Sequence, residues 1–356
     1  MMPRGPISAG PNSAQGMDAV FLHSGWRTGS TYVWNKFRRL RSCMAFYEPF
    51  NDLLASMNAV GVLMTSRHDT ALRHSDLDLP YFHEYLPLLG AKGHPLFRDE
   101  FVCRDYFVAD EKLPEQRLYL ESLLALAEKA KRTPVLGCVR SLGRVAWFKR
   151  ELKGANIVLI RSPFSQWVSG QKLAADGGYK FFDPVHFLIL SQARGSAPAV
   201  EHAMAHRIPR YETLTTNAGR LMLADTVNCA PPAVRFSVFA SVYFLSMMAA
   251  LPHADLVLDV DRLTSEADYR AQRRADILRL TGCDIDFSDA RTPRYGADAA
   301  PAEVTDALRT IAGAIAAGQD RLWDDRGCSE PGAAAAARAT IAAKFVDDSK
   351  LLNGLL

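Results

Sequence analysis

Several features that would settle the chain's class at once are missing. Its six cysteines (Cys43, Cys103, Cys138, Cys229, Cys283 and Cys328) contain no C-x-x-C pair and no metal-type spacing, and several sit inside apolar runs. They read as free, reduced and mostly structural thiols. The four histidines between residues 51 and 119 (His68, His74, His83 and His94) show neither H-x-x-x-H nor H-E-x-x-H spacing, and no metal is expected. Charge of one sign is lacking too, because 42 Lys and Arg face 39 Asp and Glu for a net +3. That balance predicts no nucleic-acid partner but suits a small polyanionic ligand. The first sixteen residues, MMPRGPISAGPNSAQG, have almost no apolar content. They predict a disordered extension over 1–16 with no secretory signal, Met17 as an alternative start, and a cytoplasmic protein. One apolar run, Val234–Leu251, has the length of a membrane span. Arg235 and its interspersed serines make it a buried helix, so no span is expected.

With 356 residues, 48% of them hydrophobic and 23% charged, the chain can bury a sizeable core. It is organised around AVFLHSGWRTGSTYVWNKFRRL, from Ala19 to Leu40. An apolar β-type run enters a loop of small and hydroxyl residues and leaves it with helical periodicity, which predicts strand, loop and helix. Such a turn aims backbone N–H groups and the positive end of a helix at one point, where an anion sits well. Gly25 and Gly29 let the backbone approach it; Ser24, Thr28, Ser30 and Thr31 offer hydroxyls, and Arg27 a bidentate cation. The loop departs from the Walker A pattern, since the glycines are one residue too close and Ser30 stands where its Lys belongs.

A second motif lies in NIVLIRSPFSQWVSGQKL, Asn156 to Leu173, where a strand over Ile157–Ile160 ends in Arg161, Pro163 follows, and Ser169 stands eight residues after the arginine. Ser162 is a good N-cap and Pro163 a good first helical residue. Together, W-R-T-G-S-T and R-x-P with its distant Ser resemble the two donor-binding motifs of sulfotransferases that use 3′-phosphoadenosine 5′-phosphosulfate (PAPS). The usual forms are [KR]-[ST]-G-[ST]-[ST] and an Arg commonly followed by Asp-Pro, so Ser162 departs from the family. The resemblance spans about Ala19 to Thr281 and is specific at these two motifs. It implies that Arg27, Thr28, Gly29, Ser30 and Thr31 hold the 5′-phosphosulfate end, and Arg161 and Ser169 the 3′-phosphate. The product is 3′-phosphoadenosine 5′-phosphate (PAP), and no metal is implied. The Gly-rich basic loop near the C-terminus of the animal cytosolic branch is missing, so the resemblance is to bacterial and carbohydrate-type members.

Those members carry a Glu or Glu-Pro shortly after the first helix, near the acceptor. Glu48-Pro49 matches, which makes Glu48 a candidate general base; the alternative is a glutamate paired with a nearby arginine. His23 and His83 are further candidates for that base. Arg140 and Arg144 follow a second strand, ending at Val139, at the place where parallel sheets bind ligands. They are candidates to contact the acceptor or the donor's anionic groups, or to pair with surface acids. The acceptor itself is read as a hydroxyl of a saccharide, glycolipid or other small metabolite. Two other classes remain open, a P-loop kinase or NTPase and a non-catalytic nucleotide-binding protein.

Alternating strand and helix patterns predict an α/β fold, a mainly parallel central sheet between helices in a P-loop-like three-layer sandwich. The expected domain runs over 17–282 with an aromatic-rich insertion at about 51–119, and 283–356 adds a helical C-terminal extension of the same domain. No catalytic pattern is read in that extension. Oligomeric state is not legible.

Overall fold

The computed structural model describes residues 18–64, 77–108, 112–192, 227–317 and 331–354. The expectations for residues 1–16, His68, His74 and Cys328 lie outside them. Five strands, β1 (Ala19–His23), β2 (Cys43–Tyr47), β3 (Thr133–Cys138), β4 (Gly154–Ile160) and β5 (Leu256–Asp259), form one sheet in the order β2-β3-β1-β4-β5. Every neighbouring pair is parallel, with Val20 opposite Val135, Leu22 opposite Ile157, Phe46 opposite Leu136 and Val158 opposite Val257. All five residues of β1 are buried, so both faces of the central strand are covered. That is the reason its sequence is a continuous apolar run rather than an alternating one.

Helices supply the cover. They are α1 (Ser30–Arg38), α2 (Ala59–Met64), α3 (Pro114–Lys129), α4 (Val145–Glu151), α5 (Pro163–Gly177), α6 (Phe182–Gln192), α7 (Pro232–Ala250), α8 (Val260–Ser265), α9 (Ala267–Thr281), α10 (Ala302–Ala316) and α11 (Pro331–Leu352). Helices α1 and α3 pack on β2 and β3, and α4 on β4, while α10 and α11 pack on α7. Local chemistry sets the boundaries. Pro114 and Pro163 open their helices, Asp259 caps α8 by accepting from the amides of Asp261 and Arg262, and left-handed Gly178 and Gly282 close α5 and α9. The Asp183-Pro184 pair falls inside the first turn of α6 rather than before it.

Helix α7, continued by a single turn to His253, is long and apolar enough to cross a membrane by length and composition, and 56% of its most apolar window is buried in the protein. Rings of the 51–119 region are mostly core. Tyr81, Phe82, Tyr85, Phe97, Phe101 and Tyr106 are all buried. Tyr81 and Phe82 pack on Tyr47 with centroids 4.7 and 5.6 Å away, along the outer edge of β2.

The topology creates one crevice. From β1 the chain turns through α1 to β2 on one side, and from β4 it leaves through α5 and α6 towards β5 on the other. Beyond the C-terminal ends of the adjacent strands β1 and β4, connections therefore part in opposite directions, the place where open parallel sheets hold ligands.

Candidate functional site

The β1–α1 loop enters that crevice. Its backbone turns twice through left-handed conformations, at Arg27 (φ 62°) and Gly29 (φ 91°). Gly29 is the N-cap of α1 and makes no side-chain cap hydrogen bond. The first-turn amides thus keep donors that no helix satisfies internally, at the positive end of the dipole. A Cβ on Gly29 would meet Val260 Cγ1 at 3.1 Å as well as carrying the positive φ, so only glycine fits there without strain. Thr28 differs from expectation. It is fully buried, and its hydroxyl donates to the Gly25 carbonyl at 2.6 Å with Gln166 Oε1 3.3 Å away, so it builds the loop rather than facing a ligand. The Ser30 side chain is partly exposed, and Thr31 Oγ1 lies 3.4 Å from the Tyr47 hydroxyl.

The second motif meets the first across the crevice. Arg27 Nε donates to Ser169 Oγ on α5 at 3.0 Å, and Arg161 Nη1 donates to the Arg27 carbonyl at 2.5 Å. Arg161 is 4% exposed, its Nη2 bonds the Pro293 carbonyl at 2.5 Å, and its Nε is buried without an acceptor. Burial lowers its pKa against the pull of Asp261, whose Oδ1 lies 3.9 Å from that Nε. Ser162 caps α5 through the amide of Ser165, as its place before Pro163 predicts.

Glu48 and Arg140 extend the site along the sheet edge. Arg140 follows β3, its guanidinium lies over the Trp26 ring at 5.2 Å, and its Nη1 donates to the Phe50 carbonyl at 2.8 Å. Its Nε, like that of Arg161, is buried with no acceptor. Glu48 sits at the end of β2 with φ 38°, accepts from Asn51 Nδ2 at 2.8 Å, and has Oε2 3.7 Å from Arg140 Nη1. Glu48 thus stands as a carboxylate beside an arginine at the C-terminal end of β2. An uncapped helix start and a left-handed turn make a backbone donor set that fits an anion.

Three candidates lie elsewhere. His23 is completely buried, with Nδ1 2.7 Å from Ser141 Oγ and Nε2 3.1 Å from Asn156 Oδ1, and burial lowers its pKa to about 4. It is a neutral core group, out of a substrate's reach. Arg144 is also buried; it donates to Gln116 Oε1 at 2.6 Å and the Phe101 carbonyl at 2.5 Å, lies over the Phe50 ring, and burial lowers its pKa to about 10. It holds α3 and the 99–101 turn together. His83 lines a cavity of about 390 Å³ with Arg38, Arg39, Met44 and Arg132, which belong to the end of α1 and the starts of β2 and β3. In a parallel sheet that is the end opposite the β1–α1 loop, so His83 is remote from the cradle.

The C-terminal helices reach the site, which the sequence did not suggest. From α11, Asp348 accepts from Ser162 Oγ at 2.6 Å and from the Phe164 amide at 2.9 Å, and Lys344 Nζ bonds Asp259 at 2.8 Å and Asp261 at 2.9 Å. Asp261 in turn accepts from the Ser162 amide at 2.6 Å. Burial pushes the Asp348 carboxyl up to about 7 despite its donors. A segment after α9 adds Arg291 and Arg294, both exposed, beside the Pro293 carbonyl that binds Arg161. Among the described residues no group of three or more His, Cys, Asp or Glu is placed to hold a metal ion. The sequence pair His202 and His206, four residues apart, lies outside the described residues. Comparison with known proteins returns nothing similar to the chain, whether among family models, curated proteins or solved structures.

Proposed function

We propose that the chain is a sulfotransferase that uses PAPS as donor and an acceptor hydroxyl, on a saccharide, glycolipid or similar metabolite, as the nucleophile. The observation that supports it most is the contact between the two motifs: Arg27 on Ser169, and Arg161 on the Arg27 carbonyl. Residues 142 positions apart share one hydrogen bond in the β1/β4 crevice. The strands that flank β1 lead into Arg140 and Arg161, cations where a Mg²⁺-dependent NTPase needs a carboxylate beside its phosphate loop. This favours sulfuryl over metal-assisted phosphoryl transfer.

The donor supplies an activated sulfuryl group on a phosphate leaving group. Transfer of this kind is loose and in-line, so the protein's work is positioning and charge neutralisation. Arg27, with the amides and hydroxyls of the Gly29–Thr31 turn, stabilises charge that builds on the leaving phosphate, and loss of such a donor costs about 3–4 kcal/mol of transition-state stabilisation. Arg161 and Ser169 hold the 3′-phosphate and discriminate against nucleotides lacking it. Glu48 takes the acceptor's proton onto its carboxylate. It stands two strand spacings from β1, about 10 Å, with Arg140 between them.

Thermal denaturation with PAP, adenosine 5′-phosphate and Mg·ATP tests the reading. A ligand at a hundred times its Kd adds about 2.7 kcal/mol, a rise of a few degrees in Tm. PAP is expected to give the largest rise; a rise with Mg·ATP alone would replace this reading with an NTPase.

A further inference from the structure

Cys43 is the first residue of edge strand β2, and Cys283 comes directly after Gly282, the left-handed glycine that closes α9. Their sulfurs are 3.5 Å apart across 240 positions of sequence, and the residues are 0% and 4% exposed. Ser42 Oγ lies 3.9 Å from Cys43 Sγ, Thr281 Oγ1 accepts from the Cys283 amide at 3.2 Å, and the Arg132 guanidinium lends positive charge on the Cys43 side.

We propose that Cys43 and Cys283 are a redox-active pair, a modification site that a hydroperoxide closes into a disulfide joining β2 to the end of α9. At this distance one thiol donates its S–H to the other sulfur, and the accepting sulfur is the easier of the two to ionise. That sulfur is the nucleophile, since the thiolate is the reactive form. It attacks one oxygen of hydrogen peroxide, the O–O bond breaks, and the departing hydroxide takes a proton to leave as water. The resulting sulfenic acid meets the second thiol at once; the second sulfur attacks the oxidised one, the S–O bond breaks, and a second water carries off the second thiol's proton. Two thiols lose two electrons and one peroxide becomes two waters.

The bond would matter because the segment beyond Cys283 touches the site. Asp289 accepts from the Tyr32 hydroxyl at 2.6 Å and from Lys36 on α1, and the Pro293 carbonyl binds Arg161. Closing the pair anchors the root of this segment to the sheet. The inference stands on the thiol geometry and does not depend on the sulfotransferase reading.

The test is stoichiometric hydrogen peroxide on the full chain, then thiol blocking with N-ethylmaleimide in denaturant, digestion and peptide mass analysis. The expected product is a Cys43–Cys283 cross-linked peptide, lighter by two hydrogen atoms and released by dithiothreitol, formed at a dose that leaves Cys103 and Cys138 alkylatable. Full maleimide labelling of Cys43 and Cys283 at a dose that oxidises the exposed Cys229 would overturn the proposal. The sulfenic intermediate is tested by trapping it with dimedone. Cys43→Ser or Cys283→Ser is expected to leave a trapped adduct at the remaining cysteine of the pair; no adduct in either variant would overturn the proposal.

Discussion

Arg27 and Glu48 share an unusual property. With Lys131, just after α3, they are the non-glycine residues with positive φ among the described residues. Such a backbone costs about 1–2 kcal/mol for an L-residue. Strain of this kind concentrates at functional sites, and here it falls on the two residues assigned to the leaving group and to the proton. Replacing Glu48 with Gln keeps the shape and the Asn51 contact while removing the base. We expect a kcat lower by roughly a hundredfold or more with PAP affinity unchanged. Steady-state rates beside a PAP titration check this; wild-type turnover would return Glu48 to the role of an ion-pair partner of Arg140. At this scale the sequence was legible where position alone decides the matter, as with glycine at a left-handed N-cap or arginine at a strand end. It was not legible where side-chain direction decides. Arg140 and Arg144 follow the same strand, yet one lies over Trp26 at the sheet's C-terminal edge while the other turns into the core, and His23 ends a strand that is buried on both faces.

Strands and helices were the most readable level, because a fully buried parallel strand has an unbroken apolar run and its following helix a Pro or Ser start. The role of α11 was hidden. Its Ala-rich pattern states a helix and nothing more, and Asp348 finds Ser162 at a distance of 186 positions. That contact predicts a pH effect. Asp348 keeps its proton in the fold up to about pH 7, whereas the unfolded chain loses it near pH 4. The fold binds more protons in between, so this group's contribution to stability falls as pH rises from about 4 to 7, by a few kcal/mol at most. Asp348→Asn removes the titration. Thermal denaturation is expected to show wild type losing Tm relative to the variant between pH 5 and 7.5; a constant offset would contradict it.

For the whole molecule, the order β2-β3-β1-β4-β5 is what turns two separated motifs into one site. The sequence carried the strands and the motifs but no pairing between strands, so the adjacency of β1 and β4 became visible only in the fold. That adjacency brings Arg27, Arg161 and Ser169 together and sets Glu48 two strands away, with Arg140 between. The segment after α9 and the helix α11 then close over the Arg161–Ser162 turn from the opposite end of the chain. The central claim is that this crevice holds a nucleotide by both of its phosphate ends. Calorimetric titration of PAP and of adenosine 5′-phosphate into wild type and Ser169→Ala tests it most directly. The account predicts that wild type prefers PAP, and that the variant loses about tenfold of PAP affinity, the worth of one charge-assisted hydrogen bond of about 1.5 kcal/mol, while adenosine 5′-phosphate, which Ser169 affects only through Arg27, loses less. Equal affinity of wild type for the two nucleotides, or a variant that still prefers PAP by the full margin, would contradict it.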